Sequence, residues 1–236
     1  MKINFTKIID TIDRWMHRDY YSLTEASNEE LEFLIKNGVN INAKDRVGET
    51  ALMFASKYGY LEKVKLLIEN GADINAKNKY GSTSLIWASS EGHLEIVKYL
   101  VEEIGMNINS KDNDGETSLM RASYRGYLET VKYLVESGAD INAKNNFDYT
   151  SLMWASENGY LEVIKYLIEN EADINAKDKY GWTALIEASR HGDLETVKCL
   201  IENGADVSIK NNKGETALDW ARNEEIEEVL IKAGAK

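Results

Sequence analysis

Three histidines, one cysteine and one acidic run are the residues whose types could support catalysis or metal binding. His17, His93 and His191 stand far apart, and none has a Cys or paired carboxylate at the short spacing of a zinc site. Asp112-Asn113-Asp114-Gly115 is patterned like part of a calcium loop. Counting back from its Gly puts Ser110 at the first ligand position and Arg121 at the last, where a bidentate Glu is needed, so no calcium is expected. Cys199 cannot form an intramolecular disulfide, and it holds the register of Tyr99, Tyr133 and Tyr166, which marks a packed helical residue rather than a nucleophile. Neither G-x-G-x-x-G nor the P-loop occurs. These residues point to no enzyme, no cofactor and no metal.

The chain has 236 residues, with 28 Lys and Arg against 40 Asp and Glu, a formal charge of −12. Nucleic-acid binders gain affinity by neutralising phosphates with Lys and Arg, so this balance predicts no nucleic-acid role and a partner with a neutral or basic surface. No apolar run is long enough to span a membrane, and Lys7, Asp10, Asp13 and Arg14 interrupt the stretch where a secretory signal would sit. A single cysteine and no leader point to a reducing, cytoplasmic setting.

What must position any binding residues is a repeat. GETAL at Gly48 recurs as GSTSL at Gly81, GETSL at Gly115, DYTSL at Asp148, GWTAL at Gly181 and GETAL at Gly214, at intervals of 33, 34, 33, 33 and 33. Lys44, Lys77, Lys111, Lys144, Lys177 and Lys210 end a second series with the same spacing. Within a unit, Thr50 is placed as an N-cap and Leu52 and Ala55 mark one helical face. Gly59 breaks that helix. Leu61, Val64, Leu67 and Ile68 form the stripe of a second helix, which Gly71 ends. The tract from Ala72 to Gly81 has no helical period and reads as a hairpin-like loop. A unit this short cannot bury its own stripe, so neighbours must stack. The lysine series could be a track for an anionic polymer, but each Lys is flanked by Asp or Asn, and a hydrogen-bonded structural ladder is the better expectation.

The G-x-T-x-L opening, the A-S-x-x-G-Y-L-E turn and the E-N-G-A-D-I-N-A-K close resemble ankyrin repeats over residues 21 to 236. The resemblance implies an all-α repeat protein, an ankyrin-type α-solenoid of stacked helix-turn-helix units joined by β-hairpin-like loops. The family's T-P-L-H is here Thr-Ala/Ser-Leu-Met/Ile/Asp, so packing of Met53, Ile86, Met120, Met153 and Ile186 must replace the bonds that its His makes. Seven repeats are expected: a cap at 21–44, complete units at 45–77, 78–111, 112–144, 145–177 and 178–210, and a cap at 211–236. Ahead of them, residues 1–20 carry Phe5, Ile8, Ile9, Ile12, Trp15 and Met16 on one side of an amphipathic helix, expected to cover the first repeat. The alternative is a scaffold or inhibitory subunit contacting a partner or membrane through that helix.

Positions alike in every unit build the repeat, and those that differ are free for recognition. The divergent ones fall in the loop before each Gly and at the end of the first helix, positions that the resemblance assigns to the concave, partner-facing side. Among them Tyr58, Tyr80, Tyr124, Arg125, Phe147, Tyr149, Tyr180, Trp182, Arg190 and His191 are the expected contact residues. Tyr80, Phe147, Tyr149, Tyr180 and Trp182 are placed at exposed loop tips, where aromatic anchors bury much area at little entropic cost. Trp87, Trp154 and Trp220 share a first-helix position with Phe54 and are expected to pack in the core or groove floor. The function so read is a non-catalytic, monomeric protein-interaction module.

Overall fold

A computed structural model describes residues 18–236. The amphipathic stretch expected ahead of the repeats lies mostly outside them, as does His17, and α1 (Arg18–Glu25) crosses the boundary expected at residue 20. Among the described residues there are thirteen α-helices and no strand beyond one isolated bridge, Lys44 with Thr50. The chain divides into two compact units, Met1–Met106 and Asn107–Lys236.

In the first unit, α1 and α2 (Asn28–Lys36) precede two helix pairs, α3 (Ala51–Lys57) with α4 (Leu61–Glu69) and α5 (Ser84–Ser90) with α6 (Leu94–Lys98). The second unit pairs α7 (Ser118–Arg125) with α8 (Leu128–Glu136), α9 (Ser151–Glu157) with α10 (Leu161–Glu169), and α11 (Ala184–His191) with α12 (Leu194–Glu202). It ends in a 3-10 turn, Leu218–Trp220, and α13 (Glu224–Lys232).

Each first helix starts where its threonine sits. Thr50, Thr83, Thr117, Thr150 and Thr183 have extended backbones, and each hydroxyl accepts from the amide three residues on at 3.3 Å. Met53, Ile86, Met120, Met153 and Ile186 are buried, so packing does replace the missing histidine. The last threonine behaves differently. Asp219 stands where the others have Met or Ile, and its carboxylate takes both the amide and the hydroxyl of Thr216, at 2.7 and 2.9 Å. The helix there shrinks to the 3-10 turn.

The lysine series is a structural ladder. Lys44, Lys111, Lys144 and Lys177 each donate to the carbonyl of the lysine one repeat on, at 2.7–3.2 Å. An asparagine rung runs beside it: Asn42, Asn109, Asn142 and Asn175 accept from the amides of Asp73, Asp140, Asp173 and Asp206. The one-residue insertion at Glu103-Ile104-Gly105, which stretches one interval to 34, is taken up as a π-turn over Tyr99–Glu103 after α6.

Candidate functional site

The divergent side chains obey one geometric rule. In three successive hairpins the residue after the left-handed turn residue meets the first-helix residue 38 positions on. In the second unit this gives three successive pairs. Glu116 accepts from the indole Nε1 of Trp154 through both carboxylate oxygens at 3.2 Å. The Tyr149 hydroxyl interacts with Glu187, and Trp182 lies against Trp220 with ring centroids 4.8 Å apart.

These pairs link into a continuous strip. Tyr124 meets Trp154 edge-on at 5.0 Å, and Trp154 meets Tyr149 at 4.6 Å. Tyr149 donates its hydroxyl to Glu157 Oε2 at 2.8 Å. Glu187, only 5% exposed, faces Arg190 Nη2 at 3.0 Å, and the Arg190 guanidinium sits 5.0 Å from the ring centroid of Trp182. Arg125 lies 5.8 Å from the Tyr124 ring. The His191 ring is held by the carbonyl of Glu187 at 3.0 Å. The strip thus alternates aromatic rings with carboxylates removed from water.

Burial sets the electrostatics. It raises the carboxyl of Glu116, against the lowering effects of the Asn145 bond, Arg121 and Trp154. It raises Glu187 likewise, with Arg190 opposing. The Tyr149 hydroxyl is pushed far up by burial and by the negative charges of Glu187 and Glu157, so it acts as a hydrogen-bond donor and not as an acid. Burial also raises the Cys199 thiol, as suits the packed residue expected there. Among the described residues no group of three or more His, Cys, Asp or Glu could hold a metal ion.

Tyr149 departs from its expected place. It is 8% exposed rather than at a loop tip, whereas Phe147 and Tyr180 are 48% and 56% exposed. The left-handed residue Asp148, with φ of 61°, breaks the extended path between Phe147 and Tyr149, so the period-2 rule that would put both rings on one side does not hold. Asn145 Oδ1 accepts from the amides of both Phe147 and Tyr149, so the two rings stand two apart across the left-handed turn at Asp148. One points out and the other turns onto α9. Trp182 occupies the same register and is half-buried against Trp220. Tyr80, Phe147 and Tyr180 make no ring contact with another aromatic among the described residues. In the first unit Tyr80 is 61% exposed, while Tyr58 packs on Phe54 at 4.5 Å. Of the three tryptophans expected in the core or groove floor, all are half-buried.

Glu116, Glu157 and Glu187 are not among the contact residues expected from the repeat pattern. The available signal was the 38-residue offset, which aligns Glu116 with Trp154, Tyr149 with Glu187 and Trp182 with Trp220.

Threonine-capped helix pairs, hairpin loops and a ladder repeating every 33 residues define a class of helical repeat protein. A family model for ankyrin repeats in three copies matches residues 21–112, 71–145, 104–178 and 152–236, and the chain belongs to the ankyrin-repeat family. Among solved structures it is similar to the crystal structure of the human ASB11 ankyrin repeat domain, with a TM-score of 0.83 and 25% identity over 92% of this chain and 98% of that one. No curated protein matches the sequence. Ankyrin repeats are generally protein-protein interaction modules, typically without enzymatic activity. No described helix is long and apolar enough to cross a membrane.

Proposed function

We propose that the protein is a non-catalytic interaction module that acts as a cytoplasmic monomer and holds a protein partner against the divergent strip of its second unit. The observation that carries this reading is the strip itself. Tyr124, Trp154, Trp182 and Trp220 keep part of their rings in water, at positions where the repeat needs no aromatic residue. Phe147 and Tyr180 stand above as exposed anchors, with Arg125, Arg190 and His191 beside the strip. Tyr149 has a different part, fixing Trp154 and joining Glu157 to Glu187 from below. The carboxylates between the rings suit a partner of neutral or basic surface.

The test is calorimetric titration of a partner captured from the source cell. Trp182→Ala and Phe147→Ala should each weaken binding by about 2 kcal/mol or more, because energy concentrates in central aromatic anchors. Lys165→Ala, which removes an exposed side chain paired with Glu162 at 2.8 Å, should change it by less than about 0.5 kcal/mol. Wild-type affinity in both aromatic variants would sink the proposal. Tyr149→Ala is the wrong probe, since it removes a buried ring and is expected to lower stability.

A further inference from the structure

Asparagine and aspartate alternate at the first position of successive hairpin turns: Asp45, Asn78, Asp112, Asn145, Asp178, Asn211. The choice tracks a residue nine positions on. Where the turn has Asn the first helix has tryptophan, as Trp87, Trp154 and Trp220, and where it has Asp the helix has Phe54, Arg121 or Glu187. The turn itself does not ask for the difference. Asp45 Oδ1 and Asn78 Oδ1 accept the same two amides, two and four residues on. What asparagine adds is its Nδ2 donor, and tryptophan adds Nε1.

In the second unit these two donors converge on one carboxylate. Asn145 Nδ2 and Trp154 Nε1 both donate to Glu116, at 2.6 and 3.2 Å. Asn211 Nδ2 and Trp220 Nε1 both donate to Glu215 Oε2, at 2.9 and 3.1 Å. In the first unit the same pair, Asn78 Nδ2 and Trp87 Nε1, is buried and meets no acceptor among the described residues, with Asn78 only 7% exposed. Among the described residues no carboxylate hydrogen-bonds either donor. The position of Glu215 is held by Ser82, whose side chain is too short. Glu49, the counterpart of Glu116, makes its attractive charge contact with Lys57 instead. The Lys57 ammonium lies 4.3 Å from the centroid of the Trp87 ring, which puts a positive charge beside the two donors.

We propose that Asn78 and Trp87, with Lys57 alongside, form a carboxylate-binding subsite that takes an acidic side chain of a protein partner. Two fixed donors and a nearby ammonium match the two oxygens of a carboxylate, and charge-assisted hydrogen bonds are the stronger kind. The Lys57 and Glu49 side chains, both half-exposed, give way as the ligand enters. The site lies in the first unit and stands independently of the strip in the second.

The test uses the full chain, labelled with nitrogen-15, with the Trp87 indole resonance assigned from Trp87→Phe. The probe is the α-amide of N-acetyl-glutamate, with that of N-acetyl-glutamine as the uncharged match. The glutamate probe should shift the Trp87 indole and Asn78 amide signals together and saturably, with half-saturation on the order of 10 mM. The glutamine probe should shift neither. Asn78→Asp keeps both turn acceptors, as Asp45 and Asp112 show, but replaces the donor, so its indole response should disappear while the fold is kept. No response at ten times the half-saturating concentration would overturn the proposal. So would a Trp87 indole shift in probe-free Glu49→Gln equal to the ligand effect, because Glu49 would then already fill the subsite.

Discussion

Glu171 offers a direct measurement of what the repeated backbone demands. It follows α10 with φ of 68°, in the left-handed region, where Gly71, Gly138 and Gly204 of other repeats have φ of 90°, 89° and 92°. The hydrogen bonds are the same for either residue. Glu171 N–H donates to Ile168 at 3.1 Å as Gly138 N–H donates to Val135 at 3.0 Å, and the Glu171 carbonyl accepts from Asn142 Nδ2 at 3.2 Å as that of Gly138 accepts from Asn109. A Cβ built on Gly71, Gly138 or Gly204 meets nothing within 4 Å, so crowding is not involved. The Glu171 side chain is exposed and makes no hydrogen bond or ion pair among the described residues, so removing it loses no contact. The left-handed conformation costs a side-chain-bearing residue ~1–2 kcal/mol. Glycine returns about 0.4–1 kcal/mol of that through the greater freedom of the unfolded chain. Glu171→Gly should therefore stabilise by about 0.5–1 kcal/mol, a rise in Tm of about 1–4 °C for a chain of this size. The assay is thermal melting followed by circular dichroism at 222 nm, with Gly138→Glu as the reverse change, expected to lower Tm by a similar amount. An unchanged or lower Tm in Glu171→Gly, with the helical signal intact, would refute the strain argument.

Glu187→Gln tests the buried carboxylate of the strip. Burial sets its folded pKa above the unfolded value of about 4.3, so the folded state holds the proton more tightly. The group's contribution to stability is then largest below the unfolded value and is lost as pH rises through the folded one. Urea midpoints between pH 4 and pH 7 should show the variant gaining on wild type as pH rises, and a gap that does not change with pH would contradict this. Nucleic-acid binding near physiological salt should be negligible, given a net charge of −12 and a lysine ladder whose ammonium groups bond backbone carbonyls; micromolar, salt-sensitive binding in a mobility-shift assay would overturn the charge argument.

Much of the backbone could be read from residues whose work is local. A threonine before an apolar pair can do little but cap a helix, and a glycine at a fixed offset marks the left-handed stop. The inserted residue near Ile104 was visible as a broken interval, though its form as a π-turn was not. The side chains of the strip were less legible, because their places depend on neighbours one repeat away. Tyr149 and Phe147 look alike in the sequence, and only the left-handed turn at Asp148 between them separates the buried ring from the exposed one. Glu187 looked like an ordinary polar helix residue, since its burial comes from Tyr149 and Arg190 closing over it.

The offset of 38 residues also bears on how such a surface can vary. A residue that meets its counterpart in the next repeat is not free to change alone. Replacing Trp154 removes the indole donor from Glu116 and leaves a buried carboxylate with only Asn145 bonded to it, and an unmatched buried charge costs more than the bond itself contributed. The divergent positions are therefore divergent in pairs: a carboxylate with an indole, a hydroxyl with a carboxylate, an indole with an indole. Each pair is one choice among chemically consistent solutions laid on the same backbone. Under the proposed function, recognition resides in the order of pairs along the strip, and the exposed Phe147 and Tyr180, which make no ring contact among the described residues, are the positions that vary at least cost to the fold.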